Sequence, residues 1–468
     1  MSEKKYELAV VGGGPGGYVA AIRAGQMGKN VVLIEKEAIG GTCLNWGCIP
    51  TKAFVRSAEV FADIKDASSF GINVDGAEVN FPKVVTRKDK IVSRLVKGVE
   101  HLLKANNVDT AEGEASFVDK NHLSVKSSDG EKIIEAENII IATGSQASNL
   151  PIPGADMDGI LDNRTALSME ELPESLIVVG GGIIGMEFAF IFNNFGVDVT
   201  VLEYLDQIVT GVDSEIAEEL NKSARRRRIT VKTGAEVEEI KKSGSEYEVI
   251  FSEKDKKKMV SGEKVLMAVG RKPYHNGLKL DKIGLETEEK RGGIIVDDYL
   301  RTNIDNIYAI GDVTDKILLA HVASHQGIVA VGNIFAEKQR MNYDAVPGAI
   351  FTSPEVATVG LSEEAAEEKG IDYKVGSFPF AASGKVMAMG EREGKVKIIA
   401  EKDTEKVIGA AIIGIEATDL IAELTLAINS GLKIEALAET IHAHPTTAEV
   451  IHEAALDMLG GAIHYKGR

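Results

Sequence analysis

The chain contains two cysteines, Cys43 and Cys48, which stand five residues apart just after a glycine-rich stretch. A disulfide between them would close so few residues that its entropic gain is slight, and geometric strain would favour an easily reduced bond. The spacing therefore predicts a redox-active pair. Two inert buried thiols, or half of a metal site, are the alternatives. We expect no metal, because tetrahedral zinc needs further ligands and the histidines lie far away in sequence.

A glycine-rich motif occurs twice, each time between a short apolar run and a helix-like stretch. Its glycines are Gly12, Gly14 and Gly17 in the first copy and Gly180, Gly182 and Gly185 in the second. In both copies an acidic residue, Glu35 or Glu203, follows the last glycine by eighteen residues. Such glycines make a tight turn, admit a pyrophosphate and let helix and strand pack closely, while the carboxylate accepts hydrogen bonds from a ribose. The repeat predicts two dinucleotide sites.

The composition excludes several classes of protein. The length of 468 residues allows about three domains. The formal charge of −18 opposes binding to nucleic acid or to an anionic membrane. No apolar run approaches the ~20 residues that a membrane span needs. A strand-like run begins at Tyr6, so we expect no signal peptide and a cytoplasmic location, where a single dithiol favours redox chemistry over structural stapling.

Proline- and glycine-rich segments divide the chain. Residues 148–154 lead into the region of the second glycine motif, and residues 270–273 lead out of it. A region of different composition begins near Val346 and mixes strand-like runs with apolar-periodic helices, such as 417–430. We therefore predict units at 1–148, 149–270, 271–345 and 346–468. The expected fold is α/β, with two Rossmann-like domains and a C-terminal α+β domain.

Residues 40–52, from Gly40 to Lys52, resemble the redox segment of the flavin-dependent pyridine nucleotide–disulfide oxidoreductases. Three further stretches, 142–144, 307–312 and 442–449, are similar to other motifs of that family in its usual order. The resemblance covers nearly the whole chain. Within the family, residues 414–421 and 444–446 are most similar to members that oxidise dihydrolipoamide.

The resemblance implies that the chain binds FAD and NAD. Residues 1–148 would bind FAD, 149–270 would bind NAD, 271–345 would complete the FAD site, and 346–468 would form a dimer interface. The implied FAD residues are Gly12, Gly14, Gly17, Glu35, Lys52 (paired with Glu187), Gly113, Gly144, Asp312 and Ala320. The implied NAD residues are Gly180, Gly182, Gly185, Glu203, Val237 and Gly270.

Glu203 favours NAD over NADP, because a carboxylate binds ribose hydroxyls and repels a 2′-phosphate. The arginine run 225–228 is the feature that could suggest NADP. It falls more than twenty residues later, at the end of a helix-like stretch, where cations complement the helix dipole. We expect it to form a solvent-exposed face.

The resemblance also implies a mechanism. Cys43 would exchange with the substrate thiols, and Cys48 would face the flavin. His444, oriented by Glu449, would be the base and would act on the partner subunit of a homodimer. A lipoyl-bearing protein of a 2-oxo acid dehydrogenase complex or of the glycine cleavage system would be the partner. The alternatives are another NAD(P)H-dependent disulfide reductase of this family and a non-catalytic scaffold that contains FAD.

Several residues depart from the family pattern or stay unassigned. Trp46, the single tryptophan, either shapes access to the disulfide or covers the turn. Phe351 stands where tyrosine is common, and Arg228 stands where a helix-ending glycine is expected. Structural roles are favoured for His442 and His452, and His321 is either structural or adjacent to the flavin. A cis peptide is expected before Pro445.

Overall fold

The first glycine motif folds as a strand, a tight turn and a helix. A computed structural model describes residues 5–466 of the chain. The strand is Lys5–Val11, and the helix begins at Pro15, where the missing N–H of proline breaks no helical hydrogen bond. The second motif repeats the arrangement, with a strand at Ser175–Val179 and a helix at Ile183–Phe195. Both strand–turn–helix units predicted from the sequence are present.

The strands and helices are numbered in chain order. The strands are β1 Lys5–Val11, β2 Val31–Glu35, β3 Val108–Glu112, β4 Glu114–Phe117, β5 His122–Ser127, β6 Gly130–Ile141, β7 Ser145–Ala147, β8 Ile160–Leu161, β9 Ser175–Val179, β10 Asp198–Leu202, β11 Thr230–Lys232, β12 Ala235–Ser243, β13 Glu246–Glu253, β14 Lys256–Gly262, β15 Lys264–Met267, β16 Arg271–Pro273, β17 Ile307–Ala309, β18 Gly348–Ile350, β19 Glu355–Gly360, β20 Tyr373–Pro379, β21 Lys395–Glu401 and β22 Val407–Gly414. The α-helices are α1 Pro15–Gln26, α2 Gly41–Trp46, α3 Cys48–Asp66, α4 Phe81–Ala105, α5 Asn163–Ala166, α6 Ile183–Phe195, α7 Ser214–Arg226, α8 Ala320–Phe335, α9 Glu363–Glu368, α10 Gly384–Ala388, α11 Ala417–Asn429, α12 Ile434–Glu439 and α13 Glu449–Leu459.

The first sheet has the strand order β3-β2-β1-β6-β5-β4, and β17 also pairs with β6. Pairing is parallel from β3 to β6, with Leu8 opposite Val31 and Asn138, and antiparallel from β6 to β4. Strand β17 joins in parallel, with Ile307 opposite Ile139. Residues far along the chain therefore complete the sheet. Its parallel strands end where the first glycine turn lies, which is the usual position of a nucleotide in such sheets.

The second sheet is parallel throughout and has the order β11-β10-β9-β15-β8. An antiparallel meander, β12-β13-β14, accompanies it. The strands that enter and leave this part of the chain, β7 and β16, pair with each other, and the Ser148 N–H donates to the Gly270 carbonyl at 2.9 Å. The boundaries at 148 and 270 agree with this pairing, although the exact division into four units stays a prediction.

The C-terminal sheet is antiparallel, in the order β18-β19-β22-β21-β20, and α11 and α13 pack against it. A large apolar cluster joins helix α3 to the second sheet and to the C-terminal sheet, because it includes Phe54 of α3, Val178 of β9 and Ile350 of β18. The predicted fold class, two Rossmann-like domains and a C-terminal α+β domain, is confirmed. Within residues 5–466, the structure contains no helix long and apolar enough to cross a membrane.

The arginine run at the end of α7 differs in part from its prediction. Arg226 and Arg227 donate from Nη1 to Glu393 at 2.9 and 3.2 Å, and Arg227 is half-buried. Arg225, Arg226 and Arg228 are exposed as expected, whereas Arg227 is partly covered, and the ion pairs of Arg226 and Arg227 join α7 to the C-terminal region. Arg228 has a φ of 65°, the left-handed conformation for which a glycine was expected.

Candidate active site

The two cysteines lie on consecutive helices that are separated only by Gly47. Cys43 lies within α2, and Cys48 is the first residue of α3; both are half-buried free thiols in this structure. The segment rests on the first glycine turn, because a Cβ on Gly41 would lie 2.7 Å from the Cα of Gly14. The sequence thus places the sulfur pair directly beside the first predicted dinucleotide site.

The two thiols have opposite proton affinities. The Cys43 thiol donates a hydrogen bond to Cys48, which lowers the pKa of Cys48 from 9.0 to about 7 although burial opposes the shift. The ammonium group of Lys52, one helical turn further along α3, lowers the pKa of Cys48 further. The same hydrogen bond, together with burial, raises the pKa of Cys43. A helix N-terminus also favours a thiolate, so Cys48 is the thiolate of the pair.

Lys52 is held by residues from two other regions of the chain. Its ammonium group lies 2.8 Å from both carboxylate oxygens of Glu187 in α6, whose side chain is 6% exposed. Glu187 also accepts the Phe351 N–H at 3.0 Å, and Lys52 lies 4.3 Å from the centre of the Phe351 ring. The expected Lys52–Glu187 pair is present. A phenylalanine at position 351 can make both of these contacts, because they involve its backbone N–H and the face of its ring.

The first glycine turn forms a tight cradle. A Cβ on Gly12 would lie 2.3 Å from the Ala142 carbonyl oxygen, and one on Gly17 would lie 1.8 Å from the Gly12 carbonyl oxygen. No atom lies within 4 Å of the Cβ position at Gly14, so the backbone there faces open space. The Glu35 carboxylate lies beside the turn and accepts the Gly13 N–H at 2.6 Å. This arrangement fits a pyrophosphate over the turn and a ribose at the carboxylate.

The second glycine turn has the same geometry. A Cβ on Gly185 would lie 1.9 Å from the Gly180 carbonyl oxygen, and the space at Gly182 is open. The Glu203 carboxylate accepts the Gly181 N–H at 2.5 Å and the Leu205 N–H at 2.8 Å. The two copies therefore match in fold and in the contacts of their acidic residue.

The other predicted NAD residues are divided between core and surface. Val237 is buried in an apolar cluster with Leu202, so its side chain belongs to the core beneath the turn. Gly270 has a φ of 103° and faces open space, and the predicted FAD residue Gly144, with a φ of 72°, does the same. Glycine is required at such angles because a side chain would strain the backbone.

Two of the remaining predicted FAD residues, Gly113 and Asp312, follow parallel strands of the first sheet, β3 and β17. The Gly113 N–H donates to the Glu35 carbonyl at 2.9 Å, and Ala320 is the first residue of α8. Asp312 accepts a hydrogen bond from the Ser145 hydroxyl at 2.5 Å. Burial raises the pKa of Asp312 even though Ser145 and Arg271 oppose the shift.

Arg271 is a site residue that the sequence analysis missed. It donates from Nε to the Ser145 hydroxyl at 2.8 Å and from Nη2 to the Ser145 carbonyl at 2.7 Å. Burial lowers the pKa of Arg271, and the charges of Asp312 and Cys48 oppose that shift. The sequence feature that could have identified Arg271 is its position directly after Gly270, in a segment that was interpreted only as a domain boundary.

His444 and Glu449 form the expected pair. The His444 Nδ1 lies 2.8 Å from Glu449 Oε1, and the Thr446 N–H donates to the other oxygen at 2.9 Å. Burial raises the pKa of Glu449, but these hydrogen bonds outweigh it and the pKa is lowered overall. The His444 side chain is 80% exposed, and its peptide bond to Pro445 is cis. Among residues 5–466 of one chain, no hydrogen bond or ion pair connects His444 to the cysteine segment.

The other histidines that the sequence analysis considered have contacts within the protein. His442 lies 3.0 Å from Glu423 and donates from Nδ1 to the Thr440 carbonyl at 2.9 Å, and its ring centre is 5.4 Å from that of His452. His321 bonds the Pro347 carbonyl at 2.9 Å. These contacts favour the structural interpretation for all three histidines.

Comparisons with known proteins agree with this geometry. The family model described as pyridine nucleotide-disulphide oxidoreductase matches residues 6–327, and the model for its dimerisation domain matches residues 346–455. The chain belongs to the pyridine nucleotide-disulphide oxidoreductase family. It is an oxidoreductase whose cofactors are FAD and NAD, and its C-terminal region is a dimerisation domain.

Individual relatives cover nearly the whole chain. A dihydrolipoyl dehydrogenase of Halobacterium salinarum is 43% identical over 99% of this chain and 98% of its own length. One from Bacillus subtilis is 39% identical, with coverage of 98% and 99%. Among solved structures, a Cu(II) complex of the HOCl-induced flavoprotein disulfide reductase RclA from Escherichia coli has a TM-score of 0.88 and 30% identity, and covers 97% of this chain and 99% of its own.

Proposed function

We propose that this chain oxidises a protein-bound dihydrolipoyl group to its cyclic disulfide and delivers the electrons to NAD⁺. The observation that supports this proposal best is the Cys43–Cys48 pair, with its hydrogen bond, its nearby Lys52 and its contact with the first glycine turn. The full-length similarity to dihydrolipoyl dehydrogenases supports the choice of substrate. The lipoyl group would be carried by a 2-oxo acid dehydrogenase complex or by the glycine cleavage system. We place the reaction in the cytoplasm, where a dithiol can cycle.

The proposed reaction begins with a Cys43–Cys48 disulfide. A substrate thiolate attacks the Cys43 sulfur, and the Cys43–Cys48 bond breaks. Cys48 leaves as a thiolate, which is stabilised because its pKa is only about 7. The second substrate thiolate then attacks the substrate sulfur bound to Cys43, which closes the substrate disulfide and releases Cys43. The substrate loses two electrons, and the enzyme dithiol gains them.

His444 of the partner subunit would accept the first substrate proton, and Cys43, released as a thiolate, would receive the second. Glu449 supports this role because it fixes the imidazole through Nδ1, which leaves Nε2 free to accept the proton. The high exposure of His444 in one chain supports a site that is completed by a second subunit.

The cofactor residues are assigned by the same argument. Gly12, Gly14, Gly17 and Glu35 would hold the FAD pyrophosphate and ribose, and Gly113, Gly144, Asp312 and Ala320 would contact the rest of the molecule. Gly180, Gly182, Gly185, Glu203 and Gly270 would hold NAD, with Val237 supporting the site from the core. Bound FAD supplies two-electron transfer between the dithiol and the nicotinamide. Lys52, held by Glu187, would place a positive charge beside Cys48 and the flavin ring.

The decisive assay compares two reactions of the purified holoprotein: NAD⁺-coupled oxidation of dihydrolipoamide and NADPH-coupled reduction of glutathione disulfide. We expect only the first to be fast. Fast reduction of glutathione disulfide would favour the alternative function, a disulfide reductase of the same family. The structural similarity to the disulfide reductase RclA is the reason for testing this alternative. Cys43→Ser and Cys48→Ser should each abolish turnover, and the control His101→Gln, an exposed histidine of α4, should retain it. Full turnover by either serine variant would reject the proposal.

The shared site can be tested by co-expressing Cys43→Ser and His444→Gln chains with different tags. In a heterodimer, the intact cysteines of one chain would meet the intact His444 of the other, so about half of the wild-type activity per dimer should return. If both groups acted within one chain, every site would carry a lesion and the heterodimer would be inactive.

A further inference from the structure

Trp46, whose role the sequence left open, is held on two sides. It is the last residue of α2 and lies between the two cysteines. Its carbonyl oxygen accepts a hydrogen bond from Asn163 Nδ2 at 2.6 Å. The guanidinium carbon of Arg164 lies 3.8 Å from the centre of the indole ring. Contact this close is a cation–π interaction, and the planar guanidinium of arginine suits it better than an ammonium does.

The residues that hold Trp46 are themselves fixed. Asn163 and Arg164 open α5, and Asp162 caps this helix in a capping box with Thr165. The Arg164 guanidinium also forms an ion pair with Glu37, which follows β2. Arg164 therefore links Glu37, which follows β2, to the indole ring of Trp46. The capped helix α5 fixes the position of the Arg164 backbone.

Holding Trp46 restrains the cysteine segment. Only Gly47 separates Trp46 from Cys48, and a Cβ on Gly47 would lie 2.8 Å from the Thr42 carbonyl oxygen. The segment therefore has little room to adjust. A disulfide accepts only a narrow range of Cα separations and dihedral angles, so the path of the segment between Cys43 and Cys48 determines how readily the bond closes. A contact that fixes Trp46 restrains that path.

We propose that Trp46, Arg164 and Glu37 form a positioning device that sets the balance between the dithiol and the disulfide of the cysteine pair. Arg164 contacts both the Trp46 ring and the Glu37 carboxylate, so removing its guanidinium releases the restraint on the segment. Trp46 and Arg164 act through the segment and are positioning residues. The inference rests on the proposed redox role of the pair.

The test measures the dithiol–disulfide equilibrium of the holoprotein, independently of turnover. The protein is equilibrated in buffers of reduced and oxidised dithiothreitol, and its free thiols are then alkylated and counted by mass spectrometry. Forming the disulfide releases two electrons and two protons, which reduce oxidised dithiothreitol to its dithiol. The variants are Trp46→Leu, Arg164→Met and Arg164→Lys, of which the last retains the charge for Glu37 and loses the planar stack. Arg340→Met is the matched control, because Arg340 lies 5.8 Å from the Tyr299 ring and pairs with Asp298 elsewhere on the surface.

Trp46→Leu and Arg164→Met should each shift the equilibrium constant between dithiol and disulfide about threefold to tenfold, in a common direction, given the usual strength of a cation–π contact. Arg164→Lys should give a smaller shift in the same direction, and Arg340→Met should give none. Because Arg164 lies at the surface, its variants test the idea even if Trp46→Leu fails to fold. An unchanged equilibrium in both Arg164 variants, or an equal shift in Arg340→Met, would overturn the inference. A wild-type protein that forms no Cys43–Cys48 disulfide in any buffer would instead reject the proposed function.

Discussion

The hydrogen bond from Cys43 to Cys48 makes a quantitative prediction about the acidity of a single thiol. It is the largest contribution that lowers the pKa of Cys48 to about 7, with Lys52 assisting and burial opposing. Because the chain has two cysteines, both Cys43→Ser and Cys43→Ala leave only Cys48 to react. Serine retains a hydroxyl that can donate to the Cys48 sulfur, whereas alanine retains nothing. These two variants therefore form a matched pair.

The pKa determines how much thiolate is present. At neutral pH, a thiol with a pKa of about 7 is roughly half thiolate, and one with a pKa of 9.0 is about 1% thiolate. Alkylation at pH 7 will differ less than this, because the nucleophilicity of a thiolate falls with its pKa; with a Brønsted slope of ~0.45, the net gain is about sixfold. The midpoint of the rate–pH profile is therefore a sharper observable than the rate at one pH.

The assay follows iodoacetamide labelling of Cys48 by mass spectrometry between pH 5 and 10. The Cys43→Ser protein should show a midpoint below the ordinary value for a thiol, and the Cys43→Ala midpoint should be higher than the Cys43→Ser midpoint by about one unit or more. Adding Lys52→Met to Cys43→Ser should also raise the midpoint, because a nearby positive charge is removed. Identical midpoints in the serine and alanine proteins would refute the assigned role of the Cys43 hydrogen bond.

Three further predictions concern the cofactor site and the base. Glu203→Arg should lower kcat/KM for NAD⁺ by about tenfold or more and improve the use of NADP⁺, because a cation that binds phosphate replaces the carboxylate that meets the ribose. Steady-state kinetics with both nucleotides measure this preference, and an unchanged preference would show that the assignment is wrong. Glu449→Gln should lower kcat about tenfold to a hundredfold with FAD content unchanged, because His444 loses its charged orienting partner, and retention of full kcat would contradict this role. Glu187→Gln should lower the free energy of unfolding by about 1–3 kcal/mol, because Lys52 loses its buried counter-ion, and a denaturant titration that matches wild type would disprove it.

The features that could be predicted from the sequence are those encoded by local spacing. The turn at Gly12–Gly17 fixes its own strand and helix, and Glu35 follows at a distance set by one helix and one strand. The short spacing between Cys43 and Cys48 likewise predicts a redox-active pair without reference to any other part of the chain. In each case the relevant residues lie within one continuous segment, so their relative positions follow from the regular geometry of helices and strands.

The features that could not be predicted depend on contacts between distant segments. The stack of Arg164 on Trp46 joins residues more than a hundred positions apart, and neither position carries a periodic signal. Arg271 was missed for the same reason, since its partner Ser145 lies 126 residues earlier. The ion pairs of Arg226 and Arg227 with Glu393 likewise appear only once α7 packs on the C-terminal sheet.

The pairing of β7 with β16 means that the chain enters and leaves its second nucleotide-binding sheet at adjacent points. A unit attached in this way resembles a cassette, whose ends stay together whatever sequence is inserted between them. Evolution could therefore exchange the coenzyme preference carried by this cassette without rebuilding the sulfur chemistry. Contacts between the cassette and the cysteine segment are the exceptions: the Lys52–Glu187 ion pair, and the contacts of Asn163 and Arg164 with Trp46, each need a matching residue on both sides.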